Sequence, residues 1–429
     1  MRARLAVLVV SPLLLLFSAT EGLAAQSRTA DQTIQLYQSR VAKAPGDFAN
    51  YAKLGAAYLQ KGQETEDVTF YTLAEETLKR SLELGADPGS AAAAHTSLAI
   101  VYSARQQFQD ALAHAQKALE YGDPDLLSYG VLGDVYVEIG EYEKAEDAYA
   151  KLLGVRGARY PHSGLSRLRF LRGDPQGAIR EMQRGIAGLR EASALKADLV
   201  RGQVQLGELQ FQVGDLPNSE SAYRDALKSL PSFHRALAGL ARVRAAQQSY
   251  PEAIRLYQEA LGVVPLPVYA AALGDVYAKI GQPEEAKRQY DLVERIGYLS
   301  SIHNKVVYDR ERAFIYADHD LKLSEALELA ERELEVRWDV YTYDVLAWAL
   351  YKNGRLRDAL WAIKEALRAG TQDARLFFHA GVIRRALGED DTARAYLQRA
   401  LATNASFDLL HVDGAQRILM ELGGRLSPR

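Results

Sequence analysis

Ser193 and Lys196, three residues apart, could set a hydroxyl beside an amine, the pairing that serves some acyl-transfer enzymes as nucleophile and base. Asp318-His319-Asp320 places an imidazole between two carboxylates, a ligand set that suits a divalent metal. Neither pattern has the surroundings its chemistry requires. The serine–lysine pair lies in a helical stretch without the companion motifs of such enzymes. Three adjacent residues cannot all turn inward on one ion without a loop and further ligands, so the triplet reads as turn residues. The chain contains no G-x-x-x-x-G-K-[ST], no H-E-x-x-H and no G-x-S-x-G, which removes the usual support for nucleotide, zinc-peptidase and hydrolase chemistry. It has no cysteine, and its eight histidines are dispersed with no pair at helical spacing. No catalytic residue, cofactor or metal site is assigned, and an enzyme is not expected.

The composition fits that reading. With 48% hydrophobic and 25% charged residues, the chain has the balance of a soluble globular protein. A net charge of −3 and a pI near 6.3 lack the basic excess of a nucleic-acid binder, so nucleic acid is not an expected partner. Residues 1–25 stand apart: Arg2 and Arg4, an apolar run from Leu5 to Phe17, then Gly22-Leu23-Ala24-Ala25. That order reads as a signal peptide cleaved after Ala24 or Ala25. The apolar run has 13 residues broken by Ser11 and Pro12, short of the roughly 20 a spanning helix needs. The expected mature protein is exported, periplasmic or secreted, with the bacterial envelope as the best fit, and has no stable membrane insertion. Export without disulfides demands a large self-sufficient core.

Such a core comes from repetition. Leu-Gly-Asp-Val-Tyr occurs at residues 132–136 and again at 273–277, each time with Ile-Gly four residues after the valine. Aligning the small residue of each second helix gives Ala74, Ala111, Ala145, Ala178, Ser219, Ala253, Ala286, Ala326, Ala359 and Ala393, with spacings of 37, 34, 33, 41, 34, 33, 40, 33 and 34. Five residues before most of these stands a helix-stopping glycine: Gly140, Gly173, Gly214, Gly281, Gly354 and Gly388, with Gly62 in the same role ahead of an insertion. The first helices carry Leu54-Gly55-Tyr58, Leu98-Ala99-Tyr102, Leu132-Gly133-Tyr136 and Leu273-Gly274-Tyr277, which share one helix face. Small residues let two helix backbones approach, and the tyrosines fill the space beside them. Each hairpin leaves an apolar side for its neighbour, so several repeats fold where one cannot.

These residues resemble the tetratricopeptide repeat pattern, Trp-x-x-Leu-Gly-x-x-Tyr, then Ala, Phe and Pro at a period of about 34. The resemblance covers residues 47–403. The family's tryptophan is absent, Ser219 replaces alanine, and the proline is in register only at Pro231 and Pro265. In the eighth copy Phe314 falls where a small residue is expected, Glu333 takes an apolar position, and no glycine precedes Ala326. The implied fold is all-α, a right-handed superhelical solenoid of about ten helix-turn-helix repeats with capping helices at both ends. The expected organisation is a capping helix in 26–46, a first subarray of about seven repeats in 47–295, a second of about three in 296–403, and a C-terminal cap and tail in 404–429. The break is placed at the insertion Gly297-Tyr298-Leu299-Ser300-Ser301.

In this family the first helix of each hairpin lines a concave groove, which implies partner-binding positions two before and one and four after the small residue. Carried onto this chain, the central repeats offer Arg167, Phe170, Arg201, Glu208, Phe211, Arg235 and Arg242, a basic groove for an acidic or carboxylate-bearing segment. The last repeats offer Tyr341, Asp344, Trp348 and Tyr351, flanked by Arg375, Phe378 and Arg385. All three tryptophans, Trp338, Trp348 and Trp361, lie within 24 residues, and such aromatics are enriched at binding hot spots. The expected function is a non-catalytic scaffold for a protein or peptide partner. A second expectation is a glycan or envelope polymer stacked on the aromatic groove. Burial of Trp348 and Tyr351 between helices would remove that groove.

Overall fold

The computed structural model describes residues 29–65, 67–122, 127–153, 162–191, 196–303 and 309–424. The described residues form twenty-two helices, of which twenty pair into ten antiparallel hairpins. Helix α1 (Ala30–Lys43) precedes the first hairpin, α2 (Phe48–Thr65) with α3 (Val68–Glu83). Then come α4 (Pro88–Ala104) with α5 (Phe108–Glu120), and α6 (Leu127–Ile139) with α7 (Tyr142–Leu153). The fourth to sixth hairpins are α8 (His162–Leu171) with α9 (Pro175–Glu191), α10 (Lys196–Gln212) with α11 (Leu216–Ser229), and α12 (His234–Ala246) with α13 (Tyr250–Val263). The seventh to tenth are α14 (Pro267–Lys279) with α15 (Pro283–His303), α16 (Asp309–Asp318) with α17 (Leu323–Val336), α18 (Val340–Lys352) with α19 (Leu356–Leu367), and α20 (Ala374–Ala386) with α21 (Asp390–Thr403). Helix α22 (His411–Glu421) follows. Residues 1–25, read above as a signal peptide, and Ser193 lie outside the described residues.

Local sequence sets the helix starts. Thr29 and Gln32 close a capping box on α1, and Asp67, Asp87, Asp215, Asp339 and Asp373 accept backbone N–H groups at the heads of α3, α4, α11, α18 and α20. Each such cap stabilises its helix by about 1 kcal/mol. All ten aligned small residues are buried, as close helix approach requires. At the serine of the fifth copy the hydroxyl is satisfied: Ser219 Oγ donates to the Gly207 carbonyl at 2.7 Å.

The glycine turns hold with one correction. Gly140 and Gly281 adopt positive φ between their helices, but Gly62 sits inside α2, where its missing side chain makes room for the Tyr71 ring. The same left-handed turn is made without glycine by Gln106 (φ 60°), Gln248 (φ 62°) and Asp320 (φ 54°), each seven residues after a small residue of the first helix: Ala99, Ala241 and Ala313. The eighth copy is therefore more regular than its sequence alone suggests. Its small position is the fully buried Ala313, not Phe314, with the buried Tyr316 three residues on. A non-glycine residue in this conformation costs roughly 1–2 kcal/mol. Exchanging the exposed Gln248 for glycine is expected to stabilise the protein by about 0.5–1 kcal/mol, read as a raised urea midpoint; an unchanged or lowered midpoint would show that the turn carries no strain.

The chain divides into two compact units, Met1–Gly164 with Ile302–Val307, and Leu165–Ser301 with Tyr308–Arg429. The expected division at residue 296 falls inside the second of these. There α15 runs unbroken through Gly297, and Lys322 of the eighth hairpin pairs with Glu294 of the seventh. Glu333 keeps its charge company in the core: it is buried against the buried Arg337 one helical turn on.

Candidate partner-binding groove

The first helix of each hairpin carries the groove positions. Within the first unit, a β-carbon on Gly133 would lie 2.3 Å from the Tyr149 ring, so only glycine lets that tyrosine lie across α6. Its hydroxyl then reaches the next residue and donates to Asp134 at 2.5 Å. The second unit repeats the device. Tyr223 packs on Gly207 and Gly239 and donates to Glu208 at 3.3 Å, and Tyr290 packs on Gly274 and donates to Asp275 at 2.9 Å. The residue after the small position is thus held on the groove side by the second helix of its own hairpin.

The basic character expected of the central repeats is compensated internally. Arg242 pairs with Glu208 and lies over the Phe211 ring, 4.0 Å from its centre. Arg201 pairs with the buried Asp198, and Arg385 with Asp390 at 2.6 Å. Burial alone would raise the Asp339 carboxyl, but Arg310, Arg337 and more weakly Arg167 outweigh it and hold it below the ordinary aspartate value. Thr371 donates its hydroxyl to the Leu171 carbonyl at 2.5 Å, so the end of α8 in the fourth hairpin meets the loop between the ninth and tenth within the second unit. Phe170 and Phe211 are buried. Arg235, Glu208 and Arg242 are partly exposed. Of the basic groove read from sequence, Arg201 and Arg242 are therefore engaged in ion pairs.

The aromatic positions converge, but inward. Trp348 is 2% exposed. It stacks on His379 (4.1 Å between centres, 13°) and on Tyr351 (5.0 Å, 17°), and its indole N–H donates to Asp318 at 3.0 Å. Phe378 is buried beside it, and Asp344, fully buried, is 2.7 Å from His379 Nδ1 and 3.6 Å from Arg375. Arg375 covers Phe314, and Tyr341 donates to Asp373 at 3.2 Å. Tyr351 keeps partial exposure. A docked partner cannot reach Trp348, Asp344 or Phe378, and the exposed aromatic groove expected here is a packed interior. Trp361, 50% exposed, faces outward with Tyr343.

Sequence reading missed the histidines and carboxylates that tie this interior together. His319 Nδ1 lies 2.7 Å from the Ile315 carbonyl and Nε2 lies 2.6 Å from Asp275. Both neighbours are acceptors and Asp275 also receives the Tyr290 hydroxyl, so His319 donates from both nitrogens as an imidazolium. Burial opposes that charge, but the hydrogen bond and charge of Asp275, with Asp318, outweigh it and raise the His319 pKa to about 9. Asp318 accepts from Trp348 and from His411 Nε2 at 2.7 Å. Burial would raise its carboxyl, yet His411, His319 and His379 bring it down to about 2. His411 is raised in turn, Asp318 outweighing the burial. Asp318 and His319 thus tie α16 to α14, α18 and α22, while Asp320 is an exposed turn residue paired with Lys352 at 2.8 Å. No group of three or more histidine, aspartate or glutamate side chains among the described residues is arranged to hold a metal.

The first unit holds a smaller cluster of the same kind. His95 and His114 meet across their hairpin with 2.8 Å between Nδ1 atoms, and burial together with the charge of His114 lowers the His95 pKa to about 4. One of the two rings must accept, so one stays neutral. Glu75 accepts from Tyr102 at 2.8 Å and pairs with Arg105. No described helix is long and apolar enough to cross a membrane.

Residues 96–164, 204–266 and 345–408 match the sequence model of the tetratricopeptide repeat. No curated protein matches the chain. Among solved structures it is similar to yeast Tom70 (14% identity, TM-score 0.38, 91% of this chain and 92% of that one). It is also similar to the Cut9–Hcn1 hetero-tetramer of the APC/C (14%, 0.34, 92% and 93%) and to a tetratricopeptide repeat protein from Parabacteroides merdae (16%, 0.35, 61% and 96%). These three stretches, set within ten helical hairpins, are thus identified as tetratricopeptide repeats.

Proposed function

We propose that this protein is an exported, non-catalytic scaffold that holds protein or peptide segments on its repeat array. The observation that carries the reading is the repetition itself: ten hairpins account for the described residues between Phe48 and Thr403, with α1 before them and α22 after them. Repeat arrays of this kind offer extended surface in place of an enclosed pocket. Export is supported by the charged, apolar and small-residue order of residues 2–25. The glycan reading loses its main surface, since Trp348 is closed off.

The partly exposed Glu208–Arg242 pair, with side-chain exposures of 40% and 36%, joins the fifth and sixth repeats on an accessible part of the groove. Cross-linking the protein in its native compartment is expected to capture a discrete set of proteins, and Arg242→Glu, which sets two carboxylates together, to reduce that capture several-fold. Capture of nothing by wild type would overturn the scaffold reading. Recovery of the protein only in the cytosol, with Met1 retained, would overturn export.

A further inference from the structure

A terminal cap needs to cover only the last repeat. The segment after α21 reaches much further within the second unit. Asn404 donates its side-chain amide to the Phe211 carbonyl of the fifth repeat at 2.7 Å, beside the Gly214 turn. Phe407 lies 5.4 Å from the Phe378 ring of the tenth. His411 stacks on Phe378 at 5.2 Å, meets Trp348 of the ninth edge-on, and binds Asp318 of the eighth. Asp413 pairs with Lys279 of the seventh at 2.6 Å. Helix α22 itself buries only Val412, Ala415 and Leu419, a single face.

We infer that residues 404–413 are an internal ligand of the second unit's groove, and that a partner docks by displacing them with a segment that presents an aromatic side chain, a cation four residues later and a carboxylate two beyond that. The spacing is that of Phe407, His411 and Asp413, and each element answers a group left behind. Without His411, the buried Asp318 loses its hydrogen-bonded cation and keeps the Trp348 indole as donor and the charge of His319, whose two nitrogens are engaged by Asp275 and the Ile315 carbonyl; removing one partner of a buried ion pair is unfavourable. A positive charge on the incoming segment at that point restores the lost ion pair. Phe378 offers a ring to stack on and Lys279 a cation at the rim. The other charged groups acting on His411 are Asp408 on its own segment and Lys352 of α18. The partner's role rests on the scaffold reading; the occupancy of the groove rests on these contacts alone.

The test uses a fluorescent synthetic peptide of residues 402–415 added to the full-length protein. The double variant Phe407→Ala/His411→Ala is expected to bind it saturably and at least about ten-fold more tightly than wild type, and a peptide carrying His411→Ala is expected not to compete. Equal binding to both proteins, or no binding to a double variant that retains wild-type circular dichroism, would overturn the inference. If the variant does not fold, hydrogen exchange on wild type decides. Amides of 411–421 that open before those of 374–386 support a displaceable segment, whereas opening only with global unfolding makes it a fixed part of the core. Peptide binding alongside failed partner capture would keep the internal ligand and remove the scaffold reading.

Discussion

Replacing Trp348 with alanine is expected to destabilise the second unit by about 4 kcal/mol, within the roughly 3–5 kcal/mol that follows removal of a buried aromatic. The site has no slack to absorb the loss, because the indole is packed between His379 and Tyr351 and its edge meets His411. The change also strips the indole donor from the buried Asp318 carboxylate, which then keeps His411. Trp348→Phe separates the contributions: it keeps a ring in the stack and loses the bond to Asp318, for about 2 kcal/mol. Urea unfolding followed by circular dichroism measures both, with the two units free to unfold in separate steps. A cost below about 1 kcal/mol for the alanine variant would mean that the stack contributes little.

Raising the pH from about 6.5 to about 9 is expected to remove roughly 3 kcal/mol from the second unit through His319. The folded protein binds the His319 proton more tightly than the unfolded chain. Its contribution is complete below the unfolded pKa near 6.5 and is lost as pH rises through the folded value of about 9. His411, raised by Asp318, acts in the same direction. At the acidic end Asp318 has the opposite sign: its contribution is present above the ordinary aspartate value and lost as pH falls toward 2. Thermal midpoints across this range test the sign. His319→Gln, which still donates to Asp275 but carries no charge, is expected to lower the midpoint at neutral pH and flatten its decline toward pH 9. A wild-type midpoint that holds steady or rises over that interval would contradict a charged His319.

The repeat was legible because it is written in small residues. Ala145 and Ala286 mark where two backbones touch, and that demand recurs in every hairpin whatever its partner. Turn glycines were legible for the same reason, and the exceptions have physical causes. Gly62 is needed for space against Tyr71 and not for its backbone freedom, while Gln106, Gln248 and Asp320 adopt the left-handed turn without glycine. The histidine network was not legible. His319 meets Asp275 across 44 residues and His411 meets Asp318 across 93, so no local spacing records either pair. Trp348 and Tyr351 share a helix face as expected; what could not be read was that the C-terminal segment folds over that face and turns a groove into an interior.

The most direct measurement of that interior is the accessibility of Trp348 in a full-length protein with Trp338→Phe and Trp361→Phe, which leaves it as the single tryptophan. The expected result is blue-shifted emission and weak quenching by acrylamide, with quenching restored when Phe407 and His411 are replaced by alanine. Solvent-like emission and free quenching in the otherwise wild-type background would mean that the groove stands open and that the C-terminal segment does not fill it.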